Sequence, residues 1–400
     1  MSISGRIQTR LLFTMAKFIN IPIPETYSGA GAREKAGAWC AARGMKEALI
    51  ITDKTVMELG IADLMLKSLN EEGIGYTIYD GVLPNPTVGL AEEAVRIGRA
   101  RQVDVVIAVG GGSPIDCAKL VAAALPSRRK VKSLVGFSRV WKTPLPLVAI
   151  PTTAGTGSEV TVGAVISDDV THVKSIMLSP KIVPGLAILD GETMVKLPPR
   201  WTAMTAFDAL THAVEAYIGR YFNAGAGEQA RDAVALINKY LERAFADGND
   251  LEARDALAQA SYKAGMAMNK CSVGYAHAFG HRLTGFYDLP HGLAVGMFLP
   301  HVLEFDIPVA EKRLARLAVA CGLGSDSESV SVLARKFVDR IFELYKNIEL
   351  PETCDNLKRS DYPLIIREAF REANATYAVP KYMNRGEAAS LLDKINPDIS

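Results

Sequence analysis

The chain has 400 residues, about half of them hydrophobic, and its 45 basic and 44 acidic side chains leave a formal net charge of +1. That length suits two ordinary domains or one large one with an ample core, and the balance of charge gives no footprint for nucleic acid or an anionic membrane. Cys40, Cys117, Cys271, Cys321 and Cys354 form no CxxC pair, which fits reduced thiols and a cytoplasmic location.

Residues 1–22 read as an amphipathic extension, with Arg6, Arg10 and Lys17 around Ile7, Leu11, Leu12, Met15, Phe18 and Ile19. It has no long apolar h-region and no small-residue cleavage site, so a secretory signal is not expected. A packing or interface helix is the simpler reading, and a membrane-surface or targeting helix is the other. No apolar run reaches the roughly 18 residues of a membrane span.

Strand signals follow at 48–53, 75–80, 104–109 and 145–150, each a short apolar run, the third of them β-branched. Helical patterns separate them, such as 88–101 just after Pro84 and Pro86. Continuous apolar strands alternating with helices predict a parallel sheet covered on both faces. At Leu197-Pro198-Pro199-Arg200 the pattern changes. Beyond it lie amphipathic stretches at 205–220, 227–246, 251–270, 309–321, 328–347, 361–374 and 386–394, with almost no strand signal. The expected organisation is an α/β domain over 23–198 and an all-α domain over 199–400, with the active site in the cleft between them.

Two loops in the first domain carry chemistry. Gly110-Gly111-Gly112-Ser113 follows a strand and opens a helix. Glycines admit a phosphate close to the backbone, and the free N–H groups of the helix start attract it. The spacing is not the GxGxxG fingerprint, so an ordinary glycine turn stays open on this motif alone. Thr152, Thr153, Thr156 and Ser158 lie in a second loop, also after a strand. Hydroxyls there can bond a phosphate, ribose or carboxamide, or merely cap a helix. Two such loops after neighbouring strands favour a nucleotide. Asp53 ends the first clear strand. Its carboxylate either accepts from ribose hydroxyls and repels a 2′-phosphate, favouring NAD, or caps the next helix.

The second domain holds the strongest signal. Asp208 and His212 stand four residues apart, His277 and His281 repeat that spacing, and His291 follows Pro290. With only six histidines in the chain, this clustering points to a divalent cation held by oxygen and imidazole with a position left open. Glu215, three residues after His212, is expected to face solvent or to support a ligand from behind rather than bind the cation. His172 and His301 are read as structural.

Together, the segments 110–119, 151–161, 208–217 and 277–292 resemble the iron-containing (group III) alcohol dehydrogenases, nearest the branch with lactaldehyde reductase and 1,3-propanediol dehydrogenase. The resemblance runs from about residue 25 to the C-terminus, and the motifs in this order are specific to the superfamily rather than to a substrate. It implies a Rossmann-like domain with a parallel sheet plus an all-α domain, the dehydroquinate synthase-like/alpha architecture. It implies Asp208, His212, His277 and His291 as ligands of Fe²⁺, with Zn²⁺ as the alternative, and His281 as a histidine near the nicotinamide that relays a proton or contacts substrate. Gly110, Gly111, Gly112 and Ser113 match the pyrophosphate loop. Thr152, Thr153, Thr156 and Thr161 match nicotinamide and ribose contacts, Asp53 the position selecting NAD, and Lys174 a cofactor contact. The pocket departs from lactaldehyde reductase-like chains: Gly163 stands for asparagine and Met268 for phenylalanine.

The expected activity is NAD- and metal-dependent interconversion of a primary alcohol or diol and its aldehyde, the cation serving as Lewis acid for the substrate oxygen. The expected partner is a small molecule, and a homodimer or larger homo-oligomer is implied. A sugar-phosphate cyclase on the same superfamily fold is the alternative, although it needs a phosphate-binding basic cluster beyond Lys270 and Arg282. A non-catalytic interaction protein is a third reading, under which NADH would not bind.

Overall fold

The computed structural model describes residues 20–127, 129–170 and 174–398. Residues 1–19 of the amphipathic extension read over 1–22, and His172, lie outside the described residues. The described chain divides into two compact units, residues 20–197 with 248–262, and residues 198–247 with 263–398.

In chain order the first unit contains β1 (Glu25–Ser28), α1 (Ala36–Ala41), β2 (Glu47–Ile51), α2 (Lys54–Glu58), α3 (Asp63–Glu71) and β3 (Gly75–Tyr79). It continues with α4 (Val88–Arg101), β4 (Val105–Gly110), α5 (Gly112–Ala124), β5 (Gly136–Phe137), β6 (Leu147–Pro151), β7 (Gly163–Ser167), β8 (Lys174–Leu178) and β9 (Leu186–Leu189). Six strands form a parallel sheet in the order β1-β9-β6-β4-β2-β3. Successive side chains enter two different cores. Leu49, Ile51, Val106, Ala108, Leu147 and Ala149 pack on one side, and Ala48, Ile50, Val105, Ile107, Val148 and Ile150 on the other. Coverage of both faces is why these strands read as unbroken apolar runs. Burying each larger side chain contributes about 1.5–3 kcal/mol.

The α4 helix matches the reading at 88–101, and Thr87 Oγ1 caps it by accepting from Leu90 N at 3.4 Å. Strands β1, β7, β8 and β9 were not anticipated. They span four or five residues each. β7 and β8 pair antiparallel, and β8 also pairs with β5, making a separate three-stranded sheet.

The remaining helices are α6 (Pro199–Ile218), α7 (Ala224–Ala246), α8 (Leu251–Cys271), α9 (Tyr275–Tyr287), α10 (His291–Ala320), α11 (Val330–Asn347), α12 (Tyr362–Thr376) and α13 (Arg385–Asp393). Residues 251–262 of α8 group with the α/β unit. The α10 helix corrects the expectation of a helix at 309–321, because it begins at His291 and runs through Pro300 and Pro308. An interior proline removes one hydrogen bond and costs about 3 kcal/mol. Burial of Leu293, Val295, Phe298, Leu299, Val302 and Leu303 offsets that. By length and composition α10 would suit a membrane span, but 67% of its apolar window is buried inside the protein, as in a core helix.

Candidate metal centre

Pro198 and Pro199 open α6, a place where the missing proline N–H costs nothing. One helical turn then separates Asp208 from His212 on a buried face. His277 lies in the first turn of α9. That helix ends at Tyr287, Asp288 takes a left-handed conformation (φ 54°), and His291 opens α10 after Pro290.

These elements bring four side chains together. Asp208, His212, His277 and His291 each offer one ligand atom, and the four atoms lie within 4.8 Å of one another. Asp208 Oδ1 stands 3.4 Å from His291 Nε2, 3.7 Å from His277 Nε2 and 4.0 Å from His212 Nε2. None of these contacts is a hydrogen bond. The separations start within, and reach about 0.4 Å beyond, the roughly 3.3–3.6 Å edge of a tetrahedron whose ligands sit about 2.0–2.2 Å from a central cation. Buried Asp208 Oδ1 and His277 Nε2 have no hydrogen-bond partner. An unmet acceptor of this kind costs about 1–3 kcal/mol, which a cation between the groups removes. The donor set of one carboxylate and three imidazoles fits Fe²⁺ or Zn²⁺.

The electrostatics agree. Burial alone would push Asp208 up, but His212, His291 and His277 around it hold the carboxyl well below the usual range. Burial brings His291 down to about 3, outweighing the attraction of Asp208. Its imidazole is therefore neutral and offers a lone pair. Burial pulls His277 down, but the flanking carboxylates of Asp208 and Glu215 lift it to about 9. In that state a proton on His277 balances Asp208, and a bound cation takes its place.

Glu215 is buried with the cluster and accepts from His277 Nδ1–H at 2.7 Å. His281, one turn further along α9, is partly exposed and stacks on His291 at 5.2 Å between ring centroids. Its Nδ1 lies 2.7 Å from Glu372 Oε1 on α12. Arg282 donates to Glu372 Oε2 at 2.7 Å, and the Tyr377 hydroxyl also donates to Glu372. Burial would raise Glu372, but these donors and the charge of Arg282 hold it below its ordinary value. Sequence reasoning missed Glu372 and Tyr377, for which no local signal exists. Glu372 lies 91 residues from His281 on another helix. His301 Nδ1 is 4.0 Å from Glu304 and its ring packs on Phe342.

The two loops of the α/β unit leave adjacent strands, since Gly110 on β4 pairs with Pro151 on β6. Gly110 has φ 154°, and a Cβ there would lie 2.4 Å from Pro114 Cγ. Only glycine makes this turn into α5 without strain. The α5 helix also holds the second loop. Buried Lys119 Nζ donates to Thr161 O at 2.8 Å, Thr161 Oγ1 at 3.1 Å and Gly163 O at 2.7 Å. Asp116 accepts from the Ser158 hydroxyl and from Val165 N. Burial lowers Lys119 to about 8 and raises its neighbour Glu159 to about 7. Lys119, Asp116 and Glu159 were not singled out from sequence, although they fall within the segments 110–119 and 151–161 that carry the resemblance.

Asp53 Oδ1 accepts from Val56 N at 3.0 Å and caps α2, so the capping role read as one of two is present. Lys174 is the first residue of β8. Gly163 opens β7, and a Cβ there would meet Ile176 and Leu178 at ordinary contact distances of 3.4 and 3.5 Å. Met268 lies on α8 and is half-buried.

Comparison with known proteins places this arrangement. Residues 24–191 match the family model for "Iron-containing alcohol dehydrogenase" and residues 202–396 that for "Fe-containing alcohol dehydrogenase family, C-terminal". The 1,3-propanediol dehydrogenase of Klebsiella pneumoniae is 36% identical, over 91% of this chain and 95% of its own length. The lactaldehyde reductase of Escherichia coli (strain K12) is 33% identical, over 82% and 86%. A crystal structure of a 1,3-propanediol oxidoreductase superposes with a TM-score of 0.89 at 35% identity, covering 94% of this chain and 99% of that one.

The class is thus an oxidoreductase that interconverts alcohols and aldehydes with a metal and an NAD-type cofactor. The chain belongs to the iron-containing alcohol dehydrogenase family. Its Rossmann-like α/β part and helical part are those the resemblance implied. The sugar-phosphate cyclase reading is not favoured, and Arg282 is committed to Glu372.

Proposed function

We propose that this enzyme uses NAD rather than NADP and binds Fe²⁺, or Zn²⁺ in its place, through Asp208, His212, His277 and His291. The observation that carries the reading is the set of 3.4–4.0 Å spacings between Asp208 Oδ1 and three Nε2 atoms. NAD supplies the hydride acceptor, and the cation supplies Lewis acidity at the substrate oxygen.

The chain's own groups do the rest. Gly110, Gly111, Gly112 and Ser113 at the start of α5 present N–H groups to a pyrophosphate. Thr152, Thr153, Thr156, Thr161 and Lys174 supply polar contacts toward the nicotinamide and ribose, and Lys119 braces the loop that bears Thr161. Asp53, while capping α2, presents a carboxylate that disfavours a 2′-phosphate. With its Nδ1–H given to Glu372, His281 has Nε2 as its proton-accepting atom. Its partial exposure lets the proton pass to solvent. Gly163 and Met268 shape the pocket for a small primary alcohol or diol. On this reading residues 23–198 serve NAD and residues 199–400 serve the metal.

The five cysteines are free, in keeping with a cytoplasmic enzyme. A homodimer is the proposed assembly, with residues 1–20 extending its interface. Gel filtration of a chain lacking them tests this, since an unchanged elution state removes that role.

The activity test is a chelator-treated sample assayed for NADH formation across alcohols of graded length and polarity. Activity should vanish and return with Fe²⁺ or Zn²⁺. Full turnover by metal-free protein would overturn the proposal.

A further inference from the structure

Glu215 follows His212 by three residues on α6, yet it ligates nothing in the cluster directly. Its two oxygens take three donors. Oε2 accepts from Gly274 N at 2.7 Å and from His277 Nδ1 at 2.7 Å, and Oε1 accepts from Ala276 N at 2.7 Å. Gly274 is the N-cap of α9 and has no side chain with which to cap it. A carboxylate from another helix takes that part, where the positive end of the helix dipole favours it.

The same contacts determine the chemistry of His277. A carboxylate oxygen can only accept, so a hydrogen is held on Nδ1, and Nε2 is the atom that exchanges its proton for the cation. Nε2 is the buried atom that faces Asp208 Oδ1 at 3.7 Å with no hydrogen-bond partner. Gly274 is shaped to the same end. A Cβ there would lie 2.7 Å from Glu215 Oε1 and 3.0 Å from its Cδ, while its backbone angles (φ −136°, ψ −149°) make no demand for glycine. The missing side chain leaves room for the carboxylate.

We propose that Glu215 is a positioning residue of the metal centre, holding His277 as the tautomer whose Nε2 binds the cation and tying that choice to the start of α9. The inference rests on the reading of Asp208, His212, His277 and His291 as the metal centre. Glutamine at 215 is the discriminating change. Its amide N–H₂ must face either Ala276 N–H, donor against donor, or Gly274 N–H and His277. In the second case His277 must move its hydrogen to Nε2 and lose the ligand lone pair.

The test is a Co²⁺ titration of chelator-stripped wild type, Glu215→Gln and Gly274→Ala, read from the visible absorption of the bound ion and from competition with a chelator of known affinity. Far-ultraviolet circular dichroism reports folding. Glu215→Gln should bind Co²⁺ about 10- to 100-fold more weakly, with a spectrum showing one imidazole fewer. Gly274→Ala retains the carboxylate and displaces it, so it should fall between. Should Glu215→Gln not fold, a folded Gly274→Ala with weakened, altered Co²⁺ binding sustains the proposal, and one with wild-type affinity and spectrum overturns it. Wild-type affinity and spectrum in folded Glu215→Gln overturn it equally. Failure of wild type to bind Co²⁺ stoichiometrically would instead sink the metal centre itself.

Discussion

The two units prepare for ligands by different physics. The α/β unit offers backbone N–H groups and small hydroxyls at the ends of β4 and β6, and its glycines and threonines act through how closely the chain can approach. The helical unit offers one carboxylate and three imidazoles from α6, α9 and α10, all spent on one point. A backbone cradle spreads its contacts over many atoms, so single substitutions should weaken it by degrees. On the proposed reading, four side-chain ligands have no redundancy, and losing one leaves the others as polar groups without purpose.

The largest effect should therefore come from the helical unit. A His277→Ala, His291→Ala double variant should retain no stoichiometric metal by elemental analysis. Its kcat/KM should fall at least ~10³-fold, about 4 kcal/mol of lost transition-state stabilisation. Activity near that of wild type would break the contrast at its root.

Gly110→Ala examines the other side. The new Cβ meets Pro114 Cγ at 2.4 Å at a positive φ, so unfolding by denaturant should show a loss of about 1–3 kcal/mol. NADH affinity, followed by fluorescence, should drop with it while metal content stays at the wild-type level. Loss of metal in this variant would show that the two preparations are not separable.

Asp53→Asn separates two roles within the α/β unit. Asparagine caps a helix as well as aspartate does, so stability should change by less than about 0.5 kcal/mol. Removing the carboxylate should raise the ratio of NADP to NAD use about tenfold in kcat/KM, equivalent to roughly 1.4 kcal/mol. An unchanged ratio would leave Asp53 as a cap alone.

The same contrast explains what the sequence discloses. The cluster was legible because Asp208 and His212, like His277 and His281, are one turn apart on single helices, and helical spacing is visible in a string of letters. The parallel sheet was legible because β2, β4 and β6 are buried on both faces. Glu372 was invisible because its link to His281 is made by tertiary packing of α12 on α9, not by any spacing. Lys119 read as part of a loop motif, and only the fold shows its ammonium satisfied by Thr161 and Gly163. The start of α10 was hidden by Pro300 and Pro308, which local rules treat as breaks and which core burial overrides.

The smallest effect concerns a histidine outside the cluster, and it tests whether burial alone makes an imidazole functional. His301 is brought down to about 4 by burial and by the charge of Lys394, against the pull of Glu304. It is neutral in the folded protein at pH 7, as His291 is, but among the described residues no other ligand group clusters with it. Its folded pKa lies below the unfolded value of about 6.5. The unfolded chain therefore binds the proton more readily, and stability is lost as pH falls from about 6.5 through 4. Relative to His301→Gln, wild type should lose about 1 kcal/mol between pH 7 and pH 5.5, measured by denaturant unfolding of metal-loaded protein. Metal content and kcat at pH 7.5 should match between the two proteins. If His301→Gln loses metal, the site extends beyond the four ligands named. If its acid limb follows wild type, burial of His301 is not what makes the helical unit labile to acid.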